Sequence, residues 1–476
     1  MKVCCLANNK FKDARMKITA CFFAIFFFSY QGFCQGFSSR PRVVISSDFP
    51  PIDVIPGTFN YGAPEKKSDP DDIQSMVRFL VYSNDFEILG LIAGSGTLAN
   101  IANKQNIFDI LDLYDKVDDN LRRHDPAYPL PDDLRKITKQ GLSGTYARTW
   151  TEIIGEGKDS EASDYLIDLL RQPDPAPIWF CFWGGTQELA QALWRIQKHS
   201  EPKQLKDIIS KIRIFMIAQQ DGTGQWLIDN FPDMLILVMQ KAYKGFFYYG
   251  LGADQKLGDS AWVSKNIRSS HGPLGEIYPE SGWDHTKKGV IEGDTPSFLY
   301  VLSGAMGLSD PEKPWYGGWG GNFKADSIKK NLWIDSDKGP EAISEWQYSR
   351  QNDFEARMDR CVKIPSRSNH NPIAIISKNT TKDIIHIDAN PGQQLSLSAL
   401  GSHDPDGNSV TYSWMYYKDA STYSGLLNFN DSKKSKLSFA VPKDAAGSII
   451  HIILEVKDNG RPRLSSFRRV VVTVGL

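Results

Sequence analysis

The segment Asp69-Pro70-Asp71-Asp72, set after the β-forming run Val43-Val44-Ile45-Ser46-Ser47 and its trailing Asp48, constrains this chain more than any other stretch. Pro70 suits the first position of a helix and Asp69 the cap before it. Downstream, Ile73, Met76, Val77 and Leu80 recur at i, i+3, i+4 and i+7, which predicts a helix with one apolar face. Residues 87–93 then read as a strand. Strand, loop, helix and strand make a βαβ unit whose carboxylates fall at the C-terminal end of the first strand, the edge where open α/β sheets bind ligands. Acidic residues in a first helical turn also complement the helix dipole, and that alone accounts for many of them. Here, however, two adjacent carboxylates meet a third delivered from a strand end, and they repel unless a cation sits among them. Hard oxygen donors of this kind favour Ca²⁺ or Mg²⁺ over zinc.

From Arg40 to about Arg350, strand-like apolar runs alternate with amphipathic helical patterns: 86–93 with 107–114, 177–183 with 189–196, and 212–217 with 225–231. The alternation predicts an α/β domain with a mostly parallel sheet flanked by helices. The pattern changes after Cys361. Residues 366–372 read as a linker, and from Ile373 onward short strand-like runs (384–387, 394–400, 410–415, 436–439, 449–456, 468–474) are separated by turn-rich pieces. That predicts a C-terminal all-β, immunoglobulin-like sandwich. The expected division is a leader over 1–35, an α/β domain over 40–365 and a sandwich over 373–476. Asp404, Asp406 and Asp458 lie in the sandwich turns, where carboxylates either accept local backbone N–H groups or hold calcium. Trp414, Tyr416 and Tyr417 are strand aromatics suited to core or sheet surface.

The leader rests on residues 18–30, an apolar run too short to span a bilayer, preceded by Lys10, Lys12, Arg15 and Lys17. This is the layout of a secretory signal peptide, with cleavage near Cys34-Gln35. Met16 offers a second start, and Gln31-Gly32-Phe33 is a poor match to a lipidation signal at Cys34. The expected destination is therefore secreted or periplasmic, without stable membrane insertion. Removal of the leader leaves only Cys181 and Cys361, too few for a disulfide framework or a cysteine-rich zinc site. A formal charge of −1 and no long basic run give no electrostatic reason for nucleic-acid binding. The expected partner is a small-molecule nucleoside or carbohydrate; the sequence leaves the oligomeric state open.

The stretch from Asp69 to Ala93 resembles the opening of the nucleoside hydrolases. More closely, the chain resembles a family of secreted bacterial proteins with a nucleoside-hydrolase-like domain, often labelled cellulose-binding. Trp183-Gly184-Gly185, Glu292-Gly293-Asp294-Thr295-Pro296-Ser297-Phe298 and Gly317-Gly318-Trp319-Gly320-Gly321 agree with it, and the resemblance covers roughly residues 40–370. It implies an exported, calcium-dependent glycosyl hydrolase acting on an N-ribosyl bond, through an oxocarbenium-like transition state. Asp48 matches a carboxylate that binds Ca²⁺ and serves as general base. Asp72 and Asp294 match further metal ligands, Trp183 a ligand through its carbonyl, and Asp71 the residue that takes ribose hydroxyls.

Three departures alter the expectation. The loop from 49 to 71 is much longer than in the resembling enzymes, so Asp53 or Asp69 competes with Asp48 as a ligand. Gly293 stands where the family often has a histidine that protonates the leaving base, which turns attention to Glu292 and His285 as acids, with Asp284 nearby. The sugar-binding asparagine after the second strand is absent in register; Gly94-Ser95-Gly96-Thr97 stands there, with Asn100 and Asn103 beyond. Asp221 and Trp226, after the 212–217 run, are either an ordinary helix cap and core residue or sugar contacts. Trp315-Tyr316-Gly317-Gly318-Trp319 makes either a sugar platform or a packed glycine-rich loop. Two rival readings remain: an O-linked pentofuranosidase acting on glycans, and a non-catalytic carbohydrate-binding protein.

Overall fold

The computed structural model describes residues 40–54, 70–282 and 284–476; the predicted leader with Cys34, most of the 49–68 loop, and Asp69 lie outside the described residues. β1 (Arg42–Ser47) pairs in parallel with β2 (Glu87–Ala93) on one side and β4 (Ile178–Phe182) on the other. These join β3 (Thr138–Gln140), β5 (Ile212–Ile217), β6 (Leu235–Met239), β7 (Phe323–Ala325) and β8 (Leu332–Asp335) in an eight-stranded sheet of order β3-β2-β1-β4-β5-β6-β8-β7. Every pairing is parallel except β7 with β8. Helices cover both faces, so β1 is buried along its whole length and alternates between two cores. Val43 and Ile45 point into one with Leu91 and Cys181, and Val44 into the other with Ile92 and Phe180. From β1 the chain builds outward in one direction to β2 and β3, and in the other to β4, β5 and β6. The order reverses between β1 and β4, and a crevice opens there beyond the strand C-termini.

The helix Asp71–Val81 begins just past Pro70. Ile73, Met76, Val77 and Leu80 are fully enclosed as expected, but so is the opposite face: every residue from Asp72 to Val81 is buried. This corrects the expectation of one apolar stripe. The helix packs against two others, Thr295–Ala305 and Gln347–Arg360, besides facing the sheet. Its long polar side chains Gln74 and Arg78 therefore find partners inside, while the Ser75 hydroxyl is buried without one. Gln74 donates to the carbonyls of Pro279 and Gly289 and accepts from the Ile291 N–H, and Arg78 pairs with Glu292.

Past the helix Gln347–Arg360 the strands are β9 (Ile385–Ala389), β10 (Gln394–Ser398), β11 (Thr411–Tyr416), β12 (Lys436–Ala440), β13 (Ile449–Lys457) and β14 (Ser465–Val474). They form a four-stranded sheet, β11-β13-β14-β9, and a two-stranded one, β10-β12, around a shared core of Trp414, Leu437, Ile452, Leu454 and Val472. Trp414 is thus interior. The Tyr417 hydroxyl donates to Glu345 of the α/β part, and Arg469 reaches from β14 into the 308–317 loop, donating to the carbonyls of Leu308 and Gly317. Tyr316 packs on His451 and Trp319 on Phe467, so this glycine-rich segment is chiefly packing. Its Trp315, 41% exposed, stacks on Trp333. Cys181 and Cys361 are buried and unbonded, and burial pushes the Cys181 thiol up to about 12. Among the described residues no helix is long and apolar enough to cross a membrane.

Candidate metal centre

At the sheet's reversal point the C-terminal ends of β1 and β4 deliver Asp48 and Trp183. The start of the helix Asp71–Val81 brings Asp71 and Asp72, and the start of the helix Thr295–Ala305 brings Asp294. All five line one cavity of about 370 Å³, together with Thr97, Leu98, Ile217, Ala218, Gln220, Tyr243, Phe247 and Gly293. One carboxylate oxygen from each of Asp71, Asp72 and Asp294 lies within 4.8 Å of the others. A cation bound at 2.3–2.6 Å accommodates oxygens up to about 5 Å apart, so this all-oxygen donor set fits calcium. Asp48 shares the cavity but stands outside that closest trio.

Charge crowding leaves its mark on the titration of these groups. Asp72 is held well above the usual carboxylate range, first by burial and then by the charges of Asp48 and Asp71, although the Ser47 hydroxyl donates to it. Burial pushes Asp48 up to about 6, against the pull of its own N–H and those of Ala99 and Leu98. Asp294 is held by its neighbours. Its carbonyl accepts from the Ser297 hydroxyl at 2.7 Å, and that hydroxyl accepts from the Trp183 indole at 2.9 Å. The ends of β4 and of the 292–295 turn are therefore tied together. Gly293, in the position where a histidine is common among the resembling enzymes, lets Asp71 approach: a Cβ there would stand 2.7 Å from its Oδ2.

The remaining candidates lie elsewhere. Glu292 is completely buried. Arg78 grips both its oxygens, at 2.9 Å through Nη2, while Tyr278 and Thr295 donate at 2.6 and 2.7 Å. With every lone pair direction in use and no place on the cavity wall, Glu292 clamps two helices and does not serve as an acid. His285 is exposed in the 284–288 turn, away from the cavity. Asp221 caps the helix Gly222–Asn230, accepting from the Thr223 N–H at 2.8 Å, and Trp226 is core, packed on Phe231 and Trp150. The Asn100 side chain accepts from the Tyr146 N–H and joins two loops. Asp53 is exposed and outside the lining.

Three cavity residues were not singled out by sequence. Gln220 donates to the carbonyls of Trp183 and Ile217 and accepts from the Thr97 N–H at 2.7 Å, binding together loops after three strands. The Trp183 carbonyl keeps a second lone pair for a cation. Tyr243 and Phe247, just past β6, form an aromatic wall with ring centroids 5.8 Å apart. Their signal was an aromatic run after a strand end, legible only once that strand's place in the sheet is known.

A family profile described as "Cellulose-binding Sde182, nucleoside hydrolase-like domain" matches residues 65–323, and one described as "Cellulose-binding protein Sde0182, C-terminal domain" matches residues 394–474. Among solved structures, the chain is similar to a nucleoside hydrolase-related hypothetical protein from Saccharophagus degradans that is associated with carbohydrate metabolism. The two are 31% identical, with a TM-score of 0.77, over 92% of this chain and 100% of that one. A mouse clustered protocadherin fragment, PcdhgC3 EC1-3, matches at 17% identity over 24% of this chain and 35% of its own, but with a TM-score of 0.14 that match carries no argument. No curated protein matches the chain.

Proposed function

Because the chain belongs to the family of cellulose-binding Sde182 proteins with a nucleoside hydrolase-like domain, we propose that it is an exported, calcium-dependent glycosyl hydrolase that cleaves an N-ribosyl bond. The observation that carries this reading is the trio Asp71, Asp72 and Asp294, converging within 4.8 Å inside a cavity that also contains Asp48. Asp72 and Asp294 would hold the ion with Asp71 beside them, and the resemblance adds Asp48 and the Trp183 carbonyl, which line the same cavity, as ligands. When bound, calcium supplies positive charge that orients hydroxyl groups and makes a nearby water easier to deprotonate. Asp48, a carboxylate on the wall of the same cavity, is the residue that takes the proton from that water. Asp71 accepts hydroxyls of the sugar ring. Tyr243 and Phe247 form an aromatic wall of the cavity, and Thr97, Gln220 and Tyr243 are protic side chains of its lining. The chemistry lies in residues 40–365, with 373–476 as an accompanying module and 1–35 as the export leader.

One observation favours a second reading. Neither Glu292 nor His285 lies at the cavity, so no candidate acid serves a nucleobase, and the family description names cellulose. The alternative this favours is carbohydrate binding without catalysis; the O-linked pentofuranosidase, the other rival, equally requires an acid to protonate its leaving oxygen. Isothermal titration of Ca²⁺ into metal-stripped protein, with and without ribose, tests the site. Tight binding strengthened by ribose is expected. Release of free sugar from nucleosides rather than from pentofuranosyl glycans then separates the two enzymes. Absence of calcium binding under both conditions overturns the metal-dependent hydrolase.

A further inference from the structure

Far from this cavity, the linker after the helix Gln347–Arg360 meets two turns of the C-terminal sandwich, and buried negative charge accumulates there. Asp404 is 8% exposed and Asp458 2% exposed. Asp404 Oδ1 accepts the N–H groups of Asp406 and Asn408, each at 3.0 Å. Its Oδ2 is shut off from solvent and has no hydrogen-bond partner. Asp458 Oδ1 accepts from the N–H groups of Gly460 and Leu464, and its Oδ2 from the Asn369 amide at 2.8 Å. Neither carboxylate has an ion-pair partner among the described residues, and the charge of Asp404 adds to the burial that raises Asp458. Asp406, the third acid of these turns, points away to His370, accepting from its N–H and ring nitrogen.

An orphaned, buried carboxylate oxygen near a second buried carboxylate is a costly arrangement, because a buried charge with an unmet acceptor is destabilising. A proton or a cation relieves it. The side-chain groups that this network offers a cation are hard oxygens: the two carboxylates and the Asn369 side-chain carbonyl, which takes the Asn408 amide at 2.9 Å. Gly460 is what lets Asn369 lie so close, since a Cβ there would stand 2.3 Å from its Oδ1. We propose that Asp404, Asp458 and Asn369 form a second divalent-cation site, suited to calcium, which fastens the linker to the sandwich. The remaining ligands come from water and turn carbonyls. This site is independent of the proposed hydrolytic centre.

The test is a titration of calcium alone into metal-stripped, full-length Asp72→Asn protein, which lacks a ligand of the first site. One calcium per chain is expected to remain, with a dissociation constant on the order of 10⁻⁴ M or tighter. Adding Asp404→Asn should weaken it at least tenfold and abolish the calcium-dependent rise in melting temperature, expected at about 2–4 °C. Where Asp404→Asn fails to fold, Asp458→Asn serves in its place. No calcium uptake by Asp72→Asn, or uptake that survives both sandwich substitutions, overturns the proposal. One site in both wild type and Asp72→Asn, lost in Asp404→Asn, upholds it while refuting the cation at the hydrolytic centre.

Discussion

Asp72→Asn should stabilise the metal-free protein while removing its affinity for the active-site cation. In the native state Asp72 lies with Asp71 and Asp294 inside 4.8 Å, and Asp48 presses on it as well. Two unit charges at that distance repel by about 3 kcal/mol at an effective dielectric of about 20. Proton uptake and relaxation take back part of this. The sign follows from the raised carboxyl: the folded form binds the proton more tightly than the unfolded chain, so stability falls as pH rises above the ordinary carboxylate range. Asparagine keeps the oxygen that accepts from Ser47 and removes the charge. We expect the metal-free variant to gain about 1–3 kcal/mol at pH 8, measured by urea unfolding in chelator, and to gain little near pH 4. In excess calcium the order should invert, because the wild type alone is stabilised by the ion at this centre. A metal-free Asp72→Asn protein less stable than wild type at pH 8 would refute the idea that these carboxylates are held together against repulsion.

Removing the buried clamp with Glu292→Ala should cost about 3–5 kcal/mol in urea unfolding, since Arg78 is left charged and enclosed. Calcium affinity should fall too, because Asp294 is two residues away; Arg78→Met with Glu292→Met should recover most of the stability. His285→Ala, in an exposed turn, should leave any sugar-releasing activity within about twofold, whereas Asp48→Asn should lower kcat by about 10²–10⁴. Glu188 is raised by burial from 4.5 to about 7, so its folded form favours the proton and stability declines as pH rises through that window. Glu188→Gln should therefore raise the melting temperature at pH 8 and leave it nearly unchanged at pH 4.5; an equal rise at both would count against the assignment.

The secondary elements were legible because each obeys a local rule. β2 and β5 run over the residues their apolar patterns delimit, and the six strands of the C-terminal part fall within a few residues of their predicted runs. The placing of Asp48, Asp71 and Asp72 on one cavity was anticipated from strand ends and helix starts, which put carboxylates on the ligand-binding edge, whereas Asp294 was expected there only from the family resemblance. Periodicity misjudged the helix Asp71–Val81, because pattern reports preference for an apolar face and cannot see a second layer closing over the polar one. The same blindness misplaced Glu292. An acid next to a site residue looks like a catalyst in one dimension, yet it becomes a clamp once Arg78, from a helix more than two hundred residues earlier, packs against it.

Local chemistry by itself therefore determined the class of fold, the switch to an all-β module and the carboxylates Asp48, Asp71 and Asp72 at one sheet edge, since backbone propensity and burial patterning act over a few residues; Asp294 came from the resemblance alone. Only the tertiary structure decided which polar groups face the cavity and which are consumed inside. Gln220, Tyr243 and Phe247 gained a place on the wall, while Asp221, Trp226 and Glu292 were taken up by a cap, a core and an ion pair. The physical reason is that a side chain's role is set by the partners that desolvate it. Those partners arrive from strands and helices whose neighbours in space are distant in sequence.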